Sequence, residues 1–201
     1  MAVELPSTPS VSDNVSISGF FTKVLNSLTW LSLLYQPLHL QDSIAPLSDV
    51  TPAPLDVVES SGAAPNPVWY RMPLDADADE GRQWDFILDR KYIGSPVLKI
   101  HYYMASANTA DDIVLVCQIA AVSDTDASVT AKVFDAVNSA TTTVPDAIGT
   151  EDVASITLTN NDSMAAGDRI SLLLYRDANA GGDTAAGDCV VTGVELQFLP
   201  Y

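Results

Sequence analysis

Basic residues are scarce in this 201-residue chain: nine Lys and Arg stand against 26 Asp and Glu, for a net charge of −17. Affinity for a phosphate backbone comes from Lys and Arg displacing condensed counterions, and adhesion to anionic lipid uses the same residues. Nucleic acid and membrane surfaces are therefore excluded as partners. Charge of either sign is also thin, at 17% of residues against 47% hydrophobic, the reverse of a disordered chain. Cysteine and histidine number two each. Cys117 and Cys189 lie inside apolar runs, where a free thiol behaves as a small buried hydrophobe. The expectation is two free thiols in a chain made inside the cell.

Catalytic signatures are missing as well. His39 and His101 have no partners at zinc spacing, no Gly-x-Ser-x-Gly elbow is present, and no phosphate loop or dinucleotide fingerprint occurs. The chain is expected to be non-enzymatic and to carry no cofactor. No long apolar run exists either. The nearest is Gly19–Leu40, which Lys23, Asn26, Ser27, Gln36 and His39 interrupt and Pro37 closes, whereas a spanning helix needs about 20 mostly apolar residues. Residues 1–18 contain Glu4 and Asp13 and no basic residue, unlike the start of a secretion signal.

Three zones make up what is present. Residues 1–18 are polar and turn-rich, and read as an arm. Residues 19–36 read as a helix, capped by Ser16 or Ser18 and stopped by Pro37. Phe20, Val24, Leu28, Leu31 and Tyr35 fall on one stripe with Phe21, Leu25 and Leu34 beside it, and Trp30 near the end. Such a stripe must be buried, either on its own domain or in a neighbouring subunit. Phe20, Phe21, Val24, Leu28, Trp30, Leu31, Leu34 and Tyr35 are accordingly the candidate oligomer or capsid contacts. Residues 37–81 hold seven of the twelve prolines, so they read as an extended linker or wrapping arm pinned by Leu47, Leu55, Val57, Val58 and Trp69. The expected division is an N-terminal arm over 1–81 and a β domain over 82–201.

From residue 82 onward short apolar runs recur between turn signals such as Asn160–Asn161–Asp162 and Asn179–Ala180–Gly181–Gly182–Asp183. Eight strands are expected: 83–90, 96–105, 112–122, 128–135, 139–145, 153–159, 169–176 and 189–199. In the second, Leu98, Ile100, Tyr102 and Met104 alternate with Val97, Lys99, His101 and Tyr103. In the last, Val190, Thr192, Val194, Leu196 and Phe198 alternate with Val191, Gly193, Glu195 and Gln197. Strands with no helical pattern between them point to an all-β antiparallel sandwich, and eight of them to a jelly roll. Most of the 15 Phe, Trp and Tyr residues are expected in its core.

One loop has ligand chemistry. Asp75, Asp77 and Asp79 alternate before Glu80 and Gly81, and calcium takes six to eight oxygens. Against an EF-hand loop the match fails, because Gly81 falls at position seven and Phe86 at twelve; a less regular calcium site or a solvated acidic turn remains.

The run from Asp85 through Tyr92 to Gly94, followed by Leu98–Ala105, resembles the strand–Tyr–Gly–strand opening of structural proteins of tailed bacteriophages. So do the Gly167–Asp168–Arg169 step, the Tyr175–Arg176–Asp177 turn, and Gly187–Asp188 before the final strand. The resemblance covers roughly residues 82–201. It implies a non-enzymatic virion component of the capsid cement or decoration type, a jelly-roll homotrimer attached to the major capsid protein on the capsid exterior and assembled in the host bacterial cytoplasm. The alternative it leaves is a fibre or tail domain that recognises a host surface glycan.

Overall fold

The computed structural model describes residues 34–126 and 128–200. Among the described residues eleven strands make two sheets, and the only helical turns are the 3-10 turns Leu40–Asp42 and Val129–Ala131. The first strands are β1 (Leu34–Leu38), β2 (Thr51–Pro52), β3 (Asp56–Glu59), β4 (Val68–Leu74), β5 (Glu80–Ile87) and β6 (Tyr92–Met104). They are followed by β7 (Asp112–Val122), β8 (Asn138–Thr143), β9 (Glu151–Thr157), β10 (Arg169–Arg176) and β11 (Cys189–Pro200).

One sheet runs β3-β4-β11-β6-β9, with β1 added along β11, and the other runs β2-β5-β10-β7-β8. Four antiparallel pairings are nested: β4 with β11, β5 with β10, β6 with β9, and β7 with β8. The molecule is an all-β sandwich wound like one long hairpin folded over on itself.

Period-two alternation builds the core. Leu98, Ile100, Tyr102 and Met104 of β6 are fully buried and meet Ile113, Leu115 and Cys117 of β7 and Ile170, Leu172 and Leu174 of β10 in one apolar cluster. Each large side chain so buried contributes about 2 kcal/mol. Trp84 belongs to the same cluster, and its indole N–H donates to the His39 carbonyl at 2.9 Å.

Several expectations are corrected. The helix expected over 19–36 does not reach its end: Leu34–Gln36 are extended and paired with Phe198–Leu196 of β11. The rest of that helix lies outside the described residues. Nor does the sandwich begin at residue 82, because Leu38, Leu40, Ala53, Met72 and Leu74 are all in the core. The proline-rich stretch supplies the end of β1 and all of β2–β4, and Ile44 and β2 pair along the edge of β5. Arg82 holds the stretch there, donating to Ser43 Oγ (2.7 Å), the Ser43 carbonyl (3.0 Å) and the Ala53 carbonyl (2.9 Å). Of the expected pins, Leu55 packs on the core while Leu47 is fully exposed and Val57 largely so. Residues 128–135 form no strand; they hold a 3-10 turn, and Val129 and Val133 are exposed. In β11 a register shift between Val191 and Gly193 resets the alternation, so Val191 faces the core with Val194, Leu196 and Phe198.

Candidate functional site

The outer face of the six-stranded sheet carries the best candidate site. Alternation that sends Leu98, Ile100 and Tyr102 inward sends Lys99, His101 and Tyr103 outward along β6. Pairing then sets Gly193 of β11 and Val153 of β9 on either side of His101, and Glu195 and Ser155 on either side of Lys99. β1 extends these rows, with Pro37 beside Glu195 and Tyr35 beside Gln197. At the other end of the sheet β4 presents Trp69 and Arg71.

The polar groups are tied to one another. Lys99 Nζ donates to Ser155 Oγ at 2.8 Å, and Gln197 Nε2 donates to the Tyr35 hydroxyl at 3.0 Å. The His101 ring stands between two carboxylates, with Nδ1 3.6 Å from Glu151 and Nε2 3.5 Å from Glu195. Arg71 pairs with Asp56 at 3.5 Å, and hydrogen bonding to Tyr103 raises its pKa above the ordinary guanidinium value.

Three open depressions follow this face. One of about 570 Å³ is lined by Tyr35, Lys99, His101, Val153 and Glu195. A second, of about 510 Å³, lies among Trp69, Tyr103, Gly149, Glu151 and Thr192. A third, of about 350 Å³, shares Glu195 with the first and Trp69 and Thr192 with the second. Together they make one shallow band. Gly193 forms part of its floor, and a Cβ there would first meet the His101 side chain, at 3.7 Å.

Phe20, Phe21, Val24, Leu28, Trp30 and Leu31 lie outside the described residues, which hold Leu34 and Tyr35 of the expected contact stripe. Leu34 packs on the core, and Tyr35 is half exposed in the band. Asp75, Asp77 and Asp79 sit in the β4–β5 turn and are used there. Asp75 Oδ1 accepts from the Asp77 N–H at 2.6 Å, and Asp79 Oδ1 accepts from Asn179 Nδ2 at 3.2 Å. Among the described residues no group of three His, Cys, Asp or Glu side chains is disposed to hold a metal ion. The two cysteines are free and fully buried; burial pushes the Cys189 thiol up to about 12 and Cys117 higher still, which suppresses the nucleophilic thiolate. The aromatics divide between core and surface. Trp84, Tyr102 and Phe198 are buried, whereas Tyr35, Trp69 and Tyr103 line the band. The placement of Tyr103 on the polar side of its strand was the signal available in the sequence; Tyr35 and Trp69 stood out there only as a helix-stripe contact and as a pin of the proline-rich arm.

No family model matches the chain. No curated protein matches it. Among solved structures it is similar to an arabinose-bound α-L-arabinofuranosidase, at 13% identity and a TM-score of 0.41, over 83% of this chain and 23% of that one. It is also similar to a carbohydrate-binding module from the β-sandwich superfamily, at 8% identity and a TM-score of 0.36, over 83% of this chain and 57% of that one. Likenesses this low say nothing about what the chain does.

Proposed function

We propose that the protein is a non-enzymatic virion component of a tailed bacteriophage, a cement or decoration protein that binds the head shell as an oligomer. The nested strand pairing supports reading the sandwich as the jelly roll that the resemblance implies. The observation that carries the attachment role is β1. The apolar stripe Phe20–Leu31 leads directly into Leu34–Leu38, which pairs with β11 in continuous register from Leu34↔Phe198 to Leu38↔Val194. The candidate anchor is thereby joined in sequence to a strand held by the sandwich over five residues.

The test uses the full chain with Leu28→Asp and Leu31→Asp together, mixed with purified phage heads that lack the protein and sedimented. Co-sedimentation of the unaltered chain, reduced at least tenfold by the double substitution at unchanged melting temperature, is the expected result. Heads that retain the variant fully would overturn the anchoring role. Failure of the unaltered chain to bind heads would overturn the cement reading itself.

A further inference from the structure

The geometry points to a second binding surface: the outer band from Trp69 and Tyr103 to Tyr35 is a groove for an uncharged, hydroxyl-rich oligosaccharide chain. This goes beyond the assembly role and stands or falls separately from it.

Shape comes first. The Tyr103 row and the Tyr35 row are six residues apart along β6, so the band is ~20 Å long. It is shallow along its length, whereas a pocket for a single small molecule encloses most of its ligand. An extended chain fits such a band.

Chemistry narrows the class. Aromatic rings stand at both ends, Trp69 with Tyr103 at one and Tyr35 at the other. Between them lie the acceptors of Glu195 and the donors of Lys99 and His101. A sugar ring has an apolar C–H face that stacks on an aromatic and hydroxyl edges that both donate and accept, so it matches both features. A purely apolar partner would strip water from Glu195, Glu151 and Lys99 and offer no hydrogen bond in its place. A peptide is a poorer fit because strand addition needs unpaired backbone groups at a sheet edge, and the band runs over the face, where β6 and β11 have spent theirs on each other. Charge disfavours the acidic polysaccharides: a chain of net charge −17 repels a polyanion, and the band sets Glu195 and Glu151 against Lys99. Gly193 keeps the floor open.

The experiment is affinity electrophoresis of the full chain through gels containing dextran, mixed-linkage β-glucan, arabinoxylan or galactomannan, with hyaluronate as the anionic control. A printed array of neutral bacterial surface oligosaccharides is probed in parallel. Expected is retardation or capture by at least one neutral glycan and none by hyaluronate. Trp69→Ala and Tyr103→Ala should each weaken it roughly tenfold, the scale of a lost stacking contact. Gly193→Val, which fills the floor and removes no aromatic, should weaken it as well, and Val133→Ala, in the loop that lies against the other sheet, should leave it unchanged. Melting curves of the four variants exclude unfolding, and none of the four should alter sedimentation with phage heads. No binding to any neutral glycan would overturn the proposal. So would binding that survives both Trp69→Ala and Gly193→Val, or capture of an unstructured casein digest displaced by the same substitutions, which would make the ligand a peptide.

Discussion

The Arg176 guanidinium is wholly buried, and its placement can be traced bond by bond. Nε and Nη2 donate to the two oxygens of Asp183 at 2.9 and 2.6 Å, Nη1 donates to the Gly187 carbonyl at 2.8 Å, and Nη2 also donates to the Ala185 carbonyl at 2.8 Å. Asp183 Oδ2 accepts in addition from the Val114 N–H at 2.9 Å. Burial by itself would lower the arginine pKa; the hydrogen bonds and charge of Asp183 outweigh it and leave the group above its ordinary value. One side chain thus ties the long β10–β11 loop to the end of β10 and to β7. Replacing it with Met strands the Asp183 carboxylate, whose own exposure is 2%, and a buried charge without its partner costs about 3–5 kcal/mol. Arg176→Met should lower the urea midpoint by a corresponding amount. Arg176→Met combined with Asp183→Leu, which removes the charge as well, should lose less than Arg176→Met alone. A single substitution without effect on the midpoint would show that the loop is not held by this pair.

Among elements, the proline-rich segment between β1 and β4 departs furthest from its sequence reading. Leu38 at the end of β1 and Leu40 in the turn after it are buried, so the segment is part of the core and not a linker laid over it. Leu38→Ala should therefore cost about 2–5 kcal/mol in equilibrium unfolding, as truncation of a buried leucine does, whereas a change within a true linker would cost almost nothing. An unaltered transition would overturn that placement.

The contrast with β6 shows what could be read and why. In β6 buried Leu98, Ile100, Tyr102 and Met104 alternate with half-buried neighbours, and β10 puts Ile170, Leu172 and Leu174 in the core although Leu173 between them is buried too; both strands stand close to where alternation puts them. In β1 polar Gln36 interrupts that alternation between Leu34 and Leu38, and Leu28, Leu31 and Tyr35 fit a helical stripe equally well; pairing with β11, a contact across 160 residues, decides for the strand. Proline signals are local too. They rule out long regular elements but do not say that Ala53 will lie under Arg82. The β11 alternation failed at Thr192–Gly193 because a bulge adds a residue without any change in hydrophobic pattern. The site was legible within single strands, with Lys99, His101 and Tyr103 sharing a face of β6 and Gly193, Glu195 and Gln197 one of β11, but their juxtaposition with each other and with Trp69 and Tyr35 joins four strands.

At the scale of the whole molecule, the net charge of −17 is scarcely offset by pairing. Among the described residues four Lys and Arg side chains make ion pairs, those of Arg71, Lys132, Arg169 and Arg176. Only the last of them is buried, so three lie where salt screens them readily and where each contributes at most about 1 kcal/mol. Repulsion among the remaining carboxylates acts over the whole surface and opposes the compact state. Added salt therefore weakens two opposing terms, a few exposed attractions and many repulsions, and the repulsions are the more numerous. The melting temperature should rise as sodium chloride goes from about 10 mM, where the screening length is about 30 Å, to about 150 mM, where it is about 8 Å. Scanning calorimetry across that range checks it. A fall over the same range would mean that the exposed pairs outweigh the excess charge. A rise would also sharpen the picture of assembly, because packing acidic copies side by side on a shell adds repulsion between subunits that the same ions relieve. Salt should then strengthen association over the range in which it raises the melting temperature.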